Sequence, residues 1–280
     1  MRHYFLAFVT LTLLMASCGG KSGKPSDEAV ADSVVVNEDS LRADSLLSEI
    51  DDLPMPKAAD ELFDDFFFNF AASRKLQMER VLFPLKSVTG DKVQTISKDQ
   101  WQMEYFFMQQ DYYTLLFDSE SHMEVVKDTT IRHAVVEKIF FSNNSINQYV
   151  FDRLRGVWML TQINTIPISQ SVNASFLTFF HQFATDVDFQ THHLSETVSF
   201  VGPDPDDDFA QMEGVITPDT WEAFAPELPQ DMIYNIIYGT EPRKDGDNVI
   251  FVLRGIANGM EMELTFHRSK GQWKLKKLTT

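Results

Sequence analysis

Polar and apolar positions along this chain fall into stretches of different character. Behind Met1-Arg2-His3 comes an apolar run, Tyr4-Phe5-Leu6-Ala7-Phe8-Val9-Thr10-Leu11-Thr12-Leu13-Leu14-Met15, and then Ala16-Ser17-Cys18. A basic start, a short apolar stretch and small residues at its end describe a signal peptide. The run is too short to span a bilayer core of about 30 Å as a mature helix. Residues 19–56 are polar, opening Gly-Gly-Lys-Ser-Gly-Lys-Pro-Ser and continuing rich in Asp, Glu and Ser. Such a composition buries too little apolar surface to offset its ordering entropy, so it reads as a tether. A flexible chain of that length reaches roughly 35 Å on average. Within it, residues 39–50 have cap candidates and an apolar side at Leu46, Leu47 and Ile50, which predicts a short helix.

The remainder repeats its own pattern. Phe66-Phe67-Phe68-Asn69-Phe70-Ala71 falls on Phe179-Phe180-His181-Gln182-Phe183-Ala184, and Gln77 on Gln190. Further on, Ile96-Ser97-Lys98-Asp99-Gln100-Trp101 falls on Ile216-Thr217-Pro218-Asp219-Thr220-Trp221. At the far ends Asn143 matches Asn258, Phe151 Phe266, Arg153 Arg268, Gly156 Gly271, Trp158 Trp273 and Leu160 Leu275. The length differences fall at residues 202–208 in the second copy and 119–132 in the first, as insertions in surface loops do.

Each copy predicts the same elements. A helix comes first, over 58–72 and 174–185, where Phe63, Phe66, Phe67 and Phe70 recur at helical spacing. A shorter helix ends near Arg80 or His193, before a strand through Phe83-Pro84-Leu85 or Val198-Ser199-Phe200. A short helix is expected behind Ser97 or Thr217, since Ser97 and Gln100 have capping-box spacing and Pro218 suits a first helical position. Four strands close each copy, in the second at 232–240, 248–256, 260–268 and 272–279. Asn258-Gly259 and Asn143-Asn144 mark hairpin turns. Helices followed by a run of antiparallel strands give an α+β fold, with helices on one face of a curved sheet.

This order, with a last strand Gly-x-Trp-x-Leu at 156–160 and 271–275, resembles the cone-shaped fold of nuclear transport factor 2 and its relatives. Together with the signal, the acidic tether and Arg80-Val81-Leu82-Phe83-Pro84-Leu85, it resembles an uncharacterised family of Gram-negative lipoproteins with that fold. The resemblance implies two tandem domains, 57–168 and 169–280, behind a signal at 1–17 and a tether at 18–56. Its motifs are structural and bring no catalytic residue.

The single cysteine changes the picture at the other end. Met15-Ala16-Ser17-Cys18 resembles the lipobox of bacterial lipoproteins, with Met where Leu is commoner. That implies cleavage before Cys18 and several acyl chains, palmitate among them, on its amine and thiol. One chain anchors only marginally, and several anchor stably. With Cys18 lipidated, no thiol is left for a disulfide, a metal or a nucleophile. Gly19 stands where some Gram-negative species place an Asp to retain lipoproteins at the inner membrane, which points to the outer membrane, facing the periplasm. The net charge of −17 argues against nucleic acid or an anionic membrane surface as partner.

Candidate chemistry is sparse. On a helix the rings of His192 and His193 diverge by about 100° and share no metal, so both read as capping or exposed. His181 replaces a Phe of the first copy and reads as a partly buried histidine. His133 opens a strand. Asp204, Asp206 and Asp208 have the spacing of a calcium loop, but Phe209 stands at the required Gly and Val215 at the bidentate Glu. Trp101, Trp158, Trp221 and Trp273 read as core. No catalytic residue, metal ligand or cofactor is assigned. Two readings follow: a non-enzymatic module binding a small molecule or a protein partner, and an isomerase, dehydratase or hydrolase working in a cone pocket.

The anchor generates the first test. Cys18→Ala should abolish incorporation of a clickable fatty-acid analogue, and label persisting on the variant would contradict lipidation at this residue.

Overall fold

The computed structural model describes residues 60–107, 112–204, 207–239, 246–256 and 258–280. The signal segment, Cys18, the tether and the helix expected at 39–50 lie outside the described residues. The described residues belong to one of the chain's two compact units, Ser45–Thr280.

The first half runs α1 (Phe63–Ala72), α2 (Arg74–Arg80), β1 (Val81–Thr89), β2 (Lys92–Ile96), β3 (Tyr112–Phe117), α3 (Glu120–Met123), β4 (His133–Phe140), β5 (Ser145–Leu154) and β6 (Val157–Pro167). The second runs α4 (Ala174–Thr185), α5 (Val187–His192), β7 (Leu194–Asp204), β8 (Asp207–Ile216), β9 (Met232–Tyr238), β10 (Asn248–Gly255), β11 (Glu261–Ser269) and β12 (Gln272–Thr279). Ser73 caps α2, its Oγ accepting from the Leu76 N–H, and Asp186 caps α5 in the same way through Phe189. The expected helices behind Ser97 and Thr217 are not formed. The Ser97 N–H does donate to Gln100 Oε1 at 3.1 Å, but the segment closes as a turn, and behind Thr217 there is one 3-10 turn, Trp221–Ala223. A single turn without a continuing apolar face does not repay helix nucleation. The length difference at 202–208 lengthens the β7–β8 hairpin, and that at 119–132 holds α3 and a 3-10 turn, Glu124–Lys127.

Both helical hairpins meet their sheets through rings. On α1, Phe63, Phe66, Phe67 and Phe70 are buried at the spacing i, i+3, i+4, i+7, and α4 repeats this with Phe176, Phe179, Phe180 and Phe183. Trp158 lies edge-on to Phe63 at 4.9 Å and stacked on Phe66 at 6.4 Å. Trp273 lies edge-on to Phe176 at 5.4 Å and stacked on Phe179 at 6.3 Å. Phe70 meets Phe151 at 5.3 Å and 89°, and Phe183 meets Phe266 at 5.2 Å and 89°. The tryptophans thus face the first two phenylalanines of each helix rather than Phe70 or Phe183. Irregularities in the ladders next to Phe151 and Phe266 bend both sheets around the helices. The two-residue turns Arg155-Gly156 (φ 54° and 88°) and Lys270-Gly271 (φ 52° and 78°) have the paired positive φ that a tight hairpin requires.

Strand order departs from the expectation that four strands close each half. One sheet runs β2-β1-β6-β5-β4-β9 and the other β8-β7-β12-β11-β10-β3. Each half therefore lends one strand to the sheet of the other. β9 pairs antiparallel with β4 and β3 with β10. Both sheets are mixed rather than wholly antiparallel, because β1 lies parallel to β6 and β7 parallel to β12. The exchanged strands are apolar on both faces, as strands covered from two sides are. On β10, Phe251 and Leu253 point into the core around α4, while Ile250 and Val252 point into the core around α1.

Where the exchanged strands meet, side chains take over from the ladder. The Thr114 hydroxyl donates to the Tyr234 carbonyl, and the Leu116 N–H donates to Asn235 Oδ1 at 3.1 Å. The Asn235 amide in turn donates to Glu137 Oε2 at 2.8 Å, and Gln148 donates to Glu137 Oε1 at 3.0 Å. Thr114, Glu137 and Asn235 are at most 1% exposed, so each of these bonds satisfies a group that water does not reach.

Two consequences are measurable. Trp158→Ala and Trp273→Ala should each cost about 3–5 kcal/mol, as loss of a buried aromatic does. Because β3 and β9 are exchanged, each variant should still unfold in one transition across tryptophan fluorescence and far-UV dichroism, and two resolved transitions would contradict the interlock. Asn235→Ala should cost about 1–3 kcal/mol by removing the buried amide that accepts from the Leu116 N–H and donates to Glu137, measured by urea denaturation.

Candidate functional site

The histidines singled out in the sequence lie apart. His192 and His193 stand at the end of α5, and their Nδ1 atoms donate to the carbonyls of Asp188 and Phe189 at 2.7 and 2.8 Å. The His193 ring stacks on Phe189 at 3.8 Å. His181 stacks flat on Phe141 at 4.8 Å. His133 pairs with Asp152 across β4 and β5 at 2.8 Å. Asp204 pairs with Asp207 in the β7–β8 ladder, while Asp206 lies outside the described residues. Among the described residues no group of three or more His, Cys, Asp or Glu is placed to hold a metal. Trp158, Trp221 and Trp273 are buried, and the Trp221 indole N–H donates to Gln190 Oε1 at 2.8 Å. Trp101 is half-buried beside Phe83.

The feature that these residues do not explain is an open cleft of about 910 Å³ in the second half. Leu253 of β10 and Met262 of β11 form its floor, with Tyr112 of the exchanged strand β3, and the more exposed Met260 lines it beside them. Pro203, Ala210 and Gln211 come from the β7–β8 hairpin, and Pro226-Glu227-Leu228-Pro229 from the segment between Trp221 and β9. Leu253, Met262 and Leu228 also belong to the core around α4, so the floor is fixed by packing. Two prolines restrict the backbone of the segment that carries Glu227. A volume of this size is within the range of sites for small organic molecules, which are mostly apolar with a few placed polar groups.

In the first half, the segment between Trp101 and β3 carries Phe106-Phe107 instead. Phe106 is buried against Phe67 at 5.0 Å and Tyr149 at 4.9 Å. Phe107 packs on Tyr234 at 4.6 Å, and its N–H donates to the Tyr234 hydroxyl at 3.1 Å. Phe107 holds φ at 61°, a costly conformation for a bulky residue, sustained by these contacts. Beside them Lys138 bonds Glu104 at 3.1 Å, and burial holds the Tyr149 hydroxyl well above its ordinary pKa. Here the chain's own rings pack into its core where the second half has an open cleft.

A polar network lies along the exchanged strands. Arg254 Nε donates to Glu261 Oε2 at 2.5 Å, and its Nη1 donates to the Tyr113 hydroxyl at 3.5 Å. The Tyr238 hydroxyl donates to Asp64 Oδ1 at 2.7 Å. Burial pushes the Asp64 carboxyl up to about 6, against the Tyr238 hydrogen bond and the charge of Arg254, which act the other way. Burial likewise raises Tyr113 and Tyr238, with Asp64 adding to the rise at Tyr238. Glu261 joins network and cleft, since it also lines the cleft rim. Asp64 and Tyr238 are not among the lining residues.

Neither cleft nor network was singled out in the sequence. Pro226 and Pro229 bracketing a surface residue, and Met260-Glu261-Met262 after a hairpin turn, were the available signals. Neither shows that β3 arrives from the other half to supply Tyr112.

A family model described as a domain of unknown function, DUF4348, matches residues 42–280. An NTF2-like protein from Bacteroides fragilis NCTC 9343, known from its crystal structure, is 41% identical to this chain. The match covers 81% of this chain and 98% of that one, with a TM-score of 0.72. No curated protein matches this chain.

The half-buried Asp64 generates a pH prediction. Its folded pKa of about 6 stands above the ordinary 3.8, so between these values the folded state binds more protons than the unfolded chain. The stability from this group is therefore complete below the lower value and is lost as pH rises through the upper one. Asp64→Asn, whose amide oxygen still accepts from Tyr238, should gain on the wild type as pH rises through this window and be at least as stable at pH near 8. A wild-type-to-variant difference that stays constant with pH in urea denaturation would contradict it.

Proposed function

The chain belongs to the DUF4348 family, and from that premise we propose that it is a lipid-anchored binding module of the cell envelope. In this reading the signal is cut before Cys18, the cysteine carries the acyl anchor, and the tether sets the folded part off from the outer membrane on its periplasmic side. The folded part consists of two copies of one NTF2-like unit, 57–168 and 169–280. That reading is supported by the matched strand orders and the matched ring geometry around Trp158 and Trp273. The two copies have since diverged in use. One fills its interior with Phe106 and Phe107, and the other keeps the cleft.

The observation that carries the binding function is the apolar cleft of about 910 Å³, whose floor is held by core residues. Binding is favoured over isomerase, dehydratase or hydrolase chemistry by the disposition of the ionisable groups. Such catalysis needs an acid and a base converging on the bound molecule. Here the half-buried acid Asp64 is paired with Tyr238 and is not in the lining, and Glu261 is held by Arg254.

A neutral solvatochromic dye such as Nile red should bind the full-length protein with an emission shift, the probe reporting an apolar environment. Ala210→Trp places a ring from β8 into the cleft without entering the core and should weaken dye binding at least about tenfold, equivalent to about 1.4 kcal/mol. Dye binding equal in the variant, read by fluorescence titration, would count against the cleft as the site.

A further inference from the structure

The lining of the cleft carries charge of one sign, and we propose that its ligand is an amphipathic small molecule with an apolar body and a cationic head. The proposal rests on the binding reading above and adds the class of ligand. The charged side chains among the described lining residues are Glu227 and Glu261, and no Lys, Arg or His is among those residues. The apolar lining of Tyr112, Leu253, Met260 and Met262 suits a flexible or flat hydrocarbon body, since methionine adapts its shape to what it meets.

The two carboxylates are placed differently. Glu261 is fixed by Arg254, its register partner on the strand face opposite Leu253 and Met262, which offsets much of its charge and draws it away from the floor. Glu227 is exposed, stands between Pro226 and Pro229, and makes no ion pair among the described residues. It is therefore the uncompensated charge of the rim, carried on a segment whose backbone the prolines restrict. A ligand burying its body against the methionines brings its head to that rim. A cationic head gains there by attraction, whereas a carboxylate or phosphate head meets a like charge, with no basic side chain among the described lining residues to receive it.

The test is displacement of Nile red from the full-length protein by decyltrimethylammonium, decanol and decanoate, each below its micelle concentration, at pH 8 and low salt. Decyltrimethylammonium should displace the dye at a concentration about tenfold lower than decanoate, with decanol between them. Glu227→Gln should narrow that ratio to less than about threefold. Glu213→Gln, an exposed carboxylate of β8 outside the lining, should leave it unchanged, which separates the rim from the attraction of a cation to an acidic protein in general. Decanoate equal to or better than the cation overturns the proposal, as does a ratio that Glu227→Gln leaves intact or that Glu213→Gln narrows as much. Those outcomes leave the cleft standing as a binding site. Failure of the wild type to bind the dye overturns the binding reading itself, and this inference with it.

Discussion

The reciprocal exchange of β3 and β9 is the constraint on which the rest of the structure depends. An edge strand leaves a row of backbone donors and acceptors unpaired. Here each half extends its sheet with a strand from the other, and the edges formed by those two strands, β3 and β9, meet. A second ladder does not form at that meeting. Thr114, Leu116, Asn235 and Glu137 bridge it instead, so that buried backbone groups find side-chain partners. The cores around α1 and α4 consequently share walls. Residues of β10 alternate between them, and neither core is complete without the chain segment that belongs to the other.

The exchange also shapes the cleft. Tyr112 reaches the floor of the second half because β3 lies beside β10, in register with Tyr112 opposite Gly255. The neighbouring Tyr113 points to the opposite face and meets Arg254, which holds Glu261 at the rim. One strand thus serves cleft and network through alternate residues, as the two-residue period of a strand dictates. The two halves part company at the segment before the exchanged strand. Phe106-Phe107 turns inward and fills space, whereas Pro226-Glu227-Leu228-Pro229 stays at the surface with only Leu228 and Pro229 buried.

Much of the local structure was legible in the sequence. Phenylalanines at i, i+3, i+4 and i+7 give α1 and α4, and α4 begins and ends where the pattern does. The Gly-containing turns at 155–156 and 270–271 and the hairpins at Asn143-Asn144 and Asn258-Gly259 follow from local backbone preference. Local rules failed at Ser97 and Thr217, where capping chemistry was present without a helix to cap. They also missed β2 and β8, whose exposed residues carry a weak apolar alternation.

By itself the sequence determined most of the elements, the α+β class and the repeated ring pattern, because these rest on contacts between residues close along the chain. Tertiary structure decided which sheet each strand joins. Tyr112-Tyr113-Thr114-Leu115-Leu116-Phe117 is apolar but for Thr114, and such a run specifies burial on both faces but names no neighbour. The cleft, the pairing of Asp64 with Tyr238 and the fixing of Glu261 by Arg254 all follow from that choice. They join residues far apart in the chain, and no periodicity records which of them will meet.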